Sequence, residues 1–288
     1  MNDGMIRGND QVQNNFLQQA SDVNKRLEAL EKIVLTSSSA ALKYEPLNTV
    51  EQRRAQAWMA MHTMPLLFPH VRGVWLMNQW AAGLMCDATS QGRHMTTHGT
   101  LAFAQQNTIL RYLAFDGTST YLSRASEAGL EITDSLSLMG WFYKTTAGTQ
   151  FPILSKTNSL SSGATQAWLF TVGSSDNLNL TVCSGSTGVV VTTPVPVGEW
   201  VFGAAAYSPS AFLRVYSGTR DGWDVGENTT SIPASINNPT TIDLTIGAIH
   251  GGAAFAGGNF AMAALMNSIS NETLFRTVFD FTKDIFYT

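Results

Sequence analysis

The chain has 288 residues, of which 44% are hydrophobic and only 13% are charged, and its formal net charge is −4. This length suffices for one large domain or two smaller ones. Because an average soluble protein has about 25% charged residues, the low charge here suits an extracellular particle or a protein whose faces are covered by partners. The negative balance argues against a nucleic-acid binder that neutralises phosphates.

The sequence indicates neither a disulfide framework nor a membrane segment. Cys86 and Cys183 lie far apart and outside any CxxC pair, so we expect two buried thiols. Residues 1–15 lack the apolar stretch of a signal peptide, and no run of ~18 apolar residues occurs. A protein that works outside the cell without such a signal is compatible with release by lysis, as for a virus particle.

The N-terminal region is predicted to oligomerise the protein. Residues 1–15 are polar and rich in Asn and Gln, and we expect an arm that orders only against a partner surface. Residues 16–36 follow the a/d spacing of a coiled coil. A helix this short is marginal alone, so it must bury its apolar stripe, either in an oligomer, for which a trimer is favoured, or against its own domain. The predicted oligomerisation residues are Phe16, Ala20, Val23, Leu27, Leu30 and Val34.

Residues 37–69 are predicted to contain a linker and a second helix. The segment 35–41, LTSSSAA, is typical of a linker. A helix is expected over 49–64, because Thr49 and Gln52 have the spacing of a capping box and Pro65 and Pro69 would end it.

From residue 70 to residue 288 the pattern changes to short runs of period two, broken by Gly, Ser, Asn and Pro. Short strands spaced roughly 8–14 residues apart, without a long helix, predict a mainly β sandwich or jelly roll. A short helix is expected over 270–279, with Ser270 as its N-cap and with Leu274, Phe275 and Val278 facing inward. The predicted strands are 73–77, 112–115, 121–123, 136–143, 151–156, 167–172, 178–182, 188–193, 200–207, 212–217, 242–249 and 258–267.

Several of these segments, taken in order, resemble concanavalin A-like (laminin G-like) jelly rolls. Segment 153–156, ILSK, resembles the strand that follows the family's opening hairpin, and 196–207, PVGEWVFGAAAY, resembles its "PxGxWxHVAxxY" strand. The resemblance implies a sandwich with a lead-in over 70–110 and a core over 111–288. The residues that carry the opening hairpin and strand are Phe115, Asp116, Gly117, Tyr121, Leu136 and Trp141.

The lead-in itself is similar to the segment that precedes such domains in phage and prophage structural proteins. This resemblance implies a non-catalytic virion protein, assembled in the host cytoplasm and carried on the extracellular particle. It would be an oligomeric head decoration, fibre or tail component that contacts other virion proteins through its N-terminal region. The residues that carry the resemblance are Arg72, Gly73, Trp75, Met77, Asp87, Gly92, Thr96 and Gly99.

The sequence offers no catalytic constellation. Jelly-roll glucanases need two carboxylates on one cleft, usually in an E-x-D-x-x-E strand, and that motif is absent. The nearest acidic cluster, Asp221, Asp224 and Glu227, is expected in a solvated loop, because its three-residue spacing does not fit one strand face. A glycan hydrolase is therefore the least favoured function, and we predict no catalytic residue.

No metal site is predicted either. His94 and His98 are interpreted as surface imidazoles, since Thr96, Thr97 and Gly99 do not favour a helix between them. Many proteins of the resembled family carry calcium, for which Asp87 or Asp116 could supply oxygen atoms. The position of Asp116 is explained by turn chemistry alone, so no cofactor is assigned.

The alternative function is that of an adhesin that binds a host-surface glycan. Trp141 and Trp200 occupy core positions of the resembled family and are expected to pack inside. Trp223, in the charged segment RDGWDVGEN, is the candidate for stacking on a sugar ring. Two departures from the family pattern, Ser217 for the usual hairpin acid and Phe202 for the usual histidine, argue against transferring a specific ligand site.

Overall fold

The computed structural model describes residues 50–67, 70–81, 83–107, 110–161, 163, 165–252 and 254–287. The chain divides into two units, Met1–Val50 and Glu51–Thr288, and the elements below belong to the second unit apart from the first residue of its opening helix. The predicted arm over 1–15 and the predicted coiled coil over 16–36, with its six stripe residues, lie outside the described residues and stay predictions.

The first described element is helix α1, Val50–Thr63. It is followed directly by a 3-10 turn over Met64–Leu67, which contains Pro65. A proline ring clashes with the carbonyl four residues earlier and lacks an N–H, so the α-helix ends where the sequence predicts. Among the residues that the structure describes, no helix is long and apolar enough to cross a membrane.

The rest of the unit is dominated by β-strands. Helix α2, Glu272–Thr282, follows the last strand. The strands are β1 (Val71–Ala81), β2 (Leu84–Asp87), β3 (Met95–His98), β4 (Ala102–Gln105), β5 (Arg111–Asp116), β6 (Tyr121–Arg124), β7 (Leu136–Lys144), β8 (Phe151–Lys156), β9 (Trp168–Val172), β10 (Asn177–Ser184), β11 (Thr187–Pro194), β12 (Trp200–Ser208), β13 (Phe212–Gly218), β14 (Trp223–Asn228), β15 (Leu244–Ile246) and β16 (Gly257–Met266).

These strands form one hydrogen-bonded path that folds over into two layers. The first layer has the order β1-β16-β7-β12-β13-β14, with β5 and β4 beside β16, and the second has the order β2-β3-β6-β15-β8-β9-β10-β11. Strand β1 joins them, because it pairs with β16 along Val71–Leu76 and with β2 at Trp75, Trp80 and Ala81. The chain therefore turns from one layer into the other within a single strand.

The main core lies between the two layers. A Cβ atom added at Gly203 of β12 would lie 2.8 Å from Phe142 in the same layer, and 3.2 Å and 3.3 Å from Phe170 and Leu178 in the other. The glycine thus leaves the space into which these side chains pack. All three are fully buried, and the alternation along β7 and β10 predicts this for Phe142 and Leu178. The predicted sandwich is confirmed.

A second core covers the outer face of the first layer. Its sheet side includes Trp141 of β7 and Phe202 of β12, and its other side is formed by α2 and the segment after it, including Phe279 and Phe286. Trp141 and Trp200 are buried here, as predicted. The helix and the segment after it therefore close this face of the first layer.

The observed strands and the cap of α2 can be compared with those predicted from the sequence pattern. Each of the predicted strands overlaps an observed one, whereas β2, β3, β4 and β14 were not predicted. The predicted N-cap Ser270 is wrong by one residue. Asn271 caps α2, since its side chain accepts a hydrogen bond from the Leu274 amide, while the buried Ser270 amide donates to Ser137 Oγ. Phe275 and Val278 face inward as predicted, but Leu274 is exposed.

Candidate binding clefts

Trp223, the residue predicted to stack on a sugar, is the first residue of β14. The prediction of a solvated loop over 221–227 is therefore wrong, because β14 pairs with β13 from Gly218↔Trp223 to Leu213↔Asn228. The acidic residues of the cluster do not share a strand face, as their spacing implied. Only Asp221 precedes the strand, and Glu227 pairs with Arg214 across it at 2.5 Å.

The Trp223 indole packs at the end of the second core. Its ring centroid lies 5.5 Å from that of Phe279, 5.9 Å from that of Tyr216 and 6.2 Å from that of Phe202. Its Nε1 donates a hydrogen bond to Glu272 Oε1 at 3.1 Å. The ring is only half-buried, so it is held firmly while part of it faces solvent.

That exposed part borders a cleft of about 290 Å³, called the Trp223 cleft below. Its lining carries three cationic and three anionic side chains beside the aromatic groups. Asp280 lies 2.7 Å from Lys283 and 3.9 Å from Arg276, so part of this charge is neutralised internally. Arg220, Arg276, Lys283, Asp221, Asp280, Asp284, Trp223, Phe279 and Tyr287 all line the cleft.

A second cleft of about 330 Å³, called the Asp116 cleft below, lies at the hairpin between β5 and β6. The Asp116 carboxylate accepts hydrogen bonds from the backbone amides of Thr118, Ser119 and Thr120 and from the hydroxyls of Ser119 and Thr120. Burial opposes ionisation, but these hydrogen bonds outweigh it and hold the pKa of Asp116 well below its ordinary value. The aspartate therefore fixes the hairpin, as turn chemistry predicts.

The opposite wall of the Asp116 cleft is the loop after β7, with Thr145, Thr146 and Thr149. An ion pair between a buried lysine and a partly exposed aspartate holds this loop. The Lys144 Nζ lies 2.5 Å from Asp176 Oδ1 and also donates to the Thr149 carbonyl oxygen at 2.6 Å. Asp176 in turn accepts the Gly148 amide. The hydrogen bond from Lys144 lowers the pKa of Asp176.

The two aspartates considered for calcium are both engaged by protein donors. Asp87 Oδ1 accepts the amides of Val74 and Thr89, and Asp87 Oδ2 accepts the Thr89 hydroxyl and the Arg93 amide. Within the described ranges, no group of three or more His, Cys, Asp or Glu residues is arranged to hold a metal ion. Asp87 thus ties the lead-in strands together.

The histidines and cysteines have structural contacts that differ in part from the predictions. His94 and His98 are not free surface imidazoles but half-buried. His94 Nδ1 accepts the Asp87 amide at 3.0 Å, and the His98 ring stacks on Tyr121 with centroids 4.1 Å apart. Cys183 is buried as predicted, and burial raises the pKa of its thiol, whereas Cys86 is only half-buried.

The sequence did not single out the Lys144–Asp176 pair or the threonine wall. The segments TTAGT and GSSDN show that turns follow β7 and β9. They do not show that the two turns meet, because the residues are far apart in sequence and belong to different layers. Lys144 ends a strand and Asp176 lies in a distant turn. Nothing in the residues around either one indicates that the two side chains pair.

Comparison with known proteins identifies the fold family. Residues 116–272 match a family model described as the concanavalin A-like lectin/glucanases superfamily. A comparison with curated proteins finds no sequence relative. The matched range includes Asp116, Lys144 and Trp223, so both clefts are bordered by residues within it.

The solved structures that resemble this chain include bacterial toxin binding domains. The binding domain of Paraclostridial Mosquitocidal Protein 1 has a TM-score of 0.55 at 8% identity, covering 73% of this chain and 52% of that one. The binding domain of botulinum neurotoxin serotype G has a TM-score of 0.55 at 10% identity, covering 73% and 51%. That of botulinum neurotoxin DC, solved with SialylT, has a TM-score of 0.51 at 8% identity, covering 75% and 52%. This chain spans about half the length of the structures it matches, and the likeness shows the fold.

Proposed function

Because the chain belongs to the concanavalin A-like lectin/glucanases superfamily, we propose that it is a non-catalytic, lectin-like recognition domain that binds a host-surface glycan. We further propose that it is displayed on an oligomeric phage virion appendage, either a head decoration or fibre or a tail component. Display on a particle and glycan recognition, the two functions that the sequence favours, are compatible in one protein.

The observation that carries this proposal is the Trp223 cleft. An indole that is packed on three aromatic rings but half open to solvent offers a rigid surface for the C–H face of a sugar. Charged groups such as Arg220 and Asp284 line the same cleft and can exchange hydrogen bonds with sugar hydroxyls. A concave site with an aromatic wall and a few convergent polar groups is the usual form of a small-molecule site.

The engagement of the carboxylates supports a role without catalysis. Glycoside hydrolysis needs one carboxyl group that donates a proton and a second that acts as nucleophile or base. Asp280 of the Trp223 cleft contacts two cations, and Asp116 of the other cleft is held ionised by its own hairpin. The environment of Asp116 does not favour a protonated carboxyl group at neutral pH.

The solved relatives give the proposal a ligand class. The botulinum neurotoxin DC binding domain was crystallised with SialylT, and in another structure with rat synaptotagmin II, at a TM-score of 0.53. A glycan ligand is the better choice for this chain, because the Trp223 cleft, at about 290 Å³, is close to the lower limit of about 300 Å³ for small-molecule sites.

The test is glycan-array binding by the full-length protein and by variants that fill the cleft. Gly222 lines the Trp223 cleft, and a Cβ atom added there meets nothing within 4 Å. We therefore expect Gly222→Trp to fold normally and to weaken glycan binding by about tenfold or more, or about 1.4 kcal/mol. The matched control is Gly222→Ala, which should bind as the unaltered protein does. An array without any bound glycan would contradict the proposed recognition function.

A further inference from the structure

A row of three half-buried aromatic side chains leads from the second layer to the Asp116 cleft. His98 and Tyr121 are directly paired across β3 and β6, and their rings are parallel within 5°. The Phe255 ring lies next in the row, with its centroid 6.0 Å from that of Tyr121. Phe255 also lines the Asp116 cleft, so the row and the cleft form one continuous surface.

The lining of the Asp116 cleft is uncharged apart from one carboxylate. The polar residues of the cleft lining are Thr145, Thr146, Thr149 and Asn259. The Thr145 and Thr149 hydroxyls donate to backbone carbonyl oxygens and can still accept hydrogen bonds. Hydroxyl and amide groups both donate and accept hydrogen bonds, which suits a ligand rich in hydroxyls. The lining carries no cation, and the one charge is the ionised Asp116. An anionic ligand would therefore meet repulsion without a compensating partner.

The walls of the cleft are held in place before any ligand arrives. The Asp116 hairpin is fixed by five hydrogen bonds to one carboxylate. The threonine wall is tied to the turn after β9 through Lys144 and Asp176. On the third side, Thr145 donates a hydrogen bond to the Gly257 carbonyl at 2.8 Å. Groups that are already held in place lose less conformational entropy when a ligand binds.

We propose that the Asp116 cleft and the row His98, Tyr121 and Phe255 form a second, elongated carbohydrate site that takes a neutral oligosaccharide. The cleft volume, about 330 Å³, lies at the lower end of the range for small-molecule sites. This volume suits the terminal sugar of the oligosaccharide. The stacked His98 and Tyr121 rings offer their edges, and Phe255 its ring, to the C–H groups of the following sugar units. The inference depends on the proposed function only for the ligand class, since it uses none of the residues of the Trp223 cleft.

The test measures binding of defined oligosaccharides to the full-length protein by calorimetry. The neutral probes are hexamers of α-glucose, β-glucose, N-acetylglucosamine and galactose, and the anionic probe is sialyllactose. We expect at least one neutral hexamer to bind. Thr146 is exposed, so Thr146→Trp should leave the fold intact, fill the cleft and weaken this binding by about tenfold or more. Phe255→Ala should weaken it by about three- to tenfold.

Matched controls separate this site from the Trp223 cleft. Thr229→Trp, at an exposed position that lines neither cleft, should bind as the unaltered protein does, and Gly222→Trp should not affect the neutral hexamer. In the unaltered protein, amide resonances of Thr145, Thr149 and Asn259 should shift on titration, which tests the site without any substitution.

Three results would overturn the inference. If no neutral hexamer binds, or if binding is insensitive to Thr146→Trp and shifts no amide of the cleft, the second site does not exist. If Gly222→Trp abolishes binding of the neutral hexamer, the ligand occupies the Trp223 cleft, and the proposed function stands while this inference fails. If no glycan binds on the array either, both fail together.

Discussion

The Trp141 and Phe286 rings are stacked, with centroids 3.9 Å apart and planes 16° from parallel. This contact joins β7 of the first layer to the segment that follows α2. The Trp141 Nε1 also donates to Thr282 Oγ1 at 2.9 Å, so the indole is satisfied on its polar edge as well as on its face. The helix and the segment after it thus belong to the folded core of the domain.

Phe286→Ala should lower the free energy of unfolding by about 3–5 kcal/mol, the usual cost of removing a buried phenylalanine. The side chain is 2% exposed, and its loss leaves a cavity beside Trp141. The measurement is urea denaturation followed by tryptophan fluorescence. Phe281→Ala is the matched control, because that side chain is 61% exposed and its removal should change stability by less than about 0.5 kcal/mol. Equal effects of the two substitutions would contradict the packing described.

Gly218→Ala should destabilise the protein by about 1–3 kcal/mol, because overpacking forces neighbouring groups to move. Gly218 lies between Phe202 and Trp223 in the paired strands, and Phe279 sits over it. A Cβ atom there would come within 2.5 Å of the Phe279 ring. The measurement is the thermal unfolding midpoint, with Gly222→Ala as the control at an open position. An unchanged midpoint for Gly218→Ala would show that α2 packs less closely than described.

Lys144→Met should lower the unfolding midpoint by several degrees and increase hydrogen exchange in the loop 145–150. The substitution keeps the apolar stem but removes the ammonium group that binds Asp176 and the carbonyl oxygens of Thr149 and Gly173. The hydrogen bond to the Gly173 carbonyl oxygen is buried, and a buried acceptor that loses its donor is costly. The control is Arg214→Met, which breaks an exposed pair worth about 0–1 kcal/mol. If the loop 145–150 exchanges no faster in the Lys144 variant, the Lys144 contacts do not hold the loop.

Stability should be nearly constant from about pH 7 to about pH 5 and should fall as the pH drops below about 4. Asp116 and Asp176 have lowered pKa values in the folded state. The unfolded chain then binds protons before the folded one does, so the stabilisation is complete above the unfolded pKa and is lost as pH falls towards the folded pKa. Asp116→Asn should reduce the loss of stability below about pH 4, as measured by urea midpoints at a series of pH values. Asp224→Asn, at an exposed position, should leave this acid-induced loss of stability unchanged.

Local pattern predicted the fold far better than the sites. The alternation of β7 and β10 and the turn at Asp116 are properties of neighbouring residues, and these predictions are confirmed. Strand β14 was missed because it is an edge strand with exposed acids, whose pattern resembles a loop. The contacts of Trp223 with Phe279, and of Lys144 with Asp176, join segments that only the folded layers bring together. The periodicity of a sequence does not predict contacts between segments that are far apart along the chain.

The predicted oligomer depends on residues outside the described part of the chain and is tested separately. If the stripe Phe16, Ala20, Val23, Leu27, Leu30 and Val34 holds three chains together, the full-length protein should sediment as a trimer. The double substitution Leu27→Asp and Leu30→Asp should convert it to a monomer, because charges are costly at a and d positions. Lys25→Gln and Lys32→Gln change the polar positions and should leave the trimer intact. A double mutant that still sediments as a trimer would refute the predicted coiled coil. If a monomeric variant still binds glycan, each jelly roll recognises its ligand without the other chains.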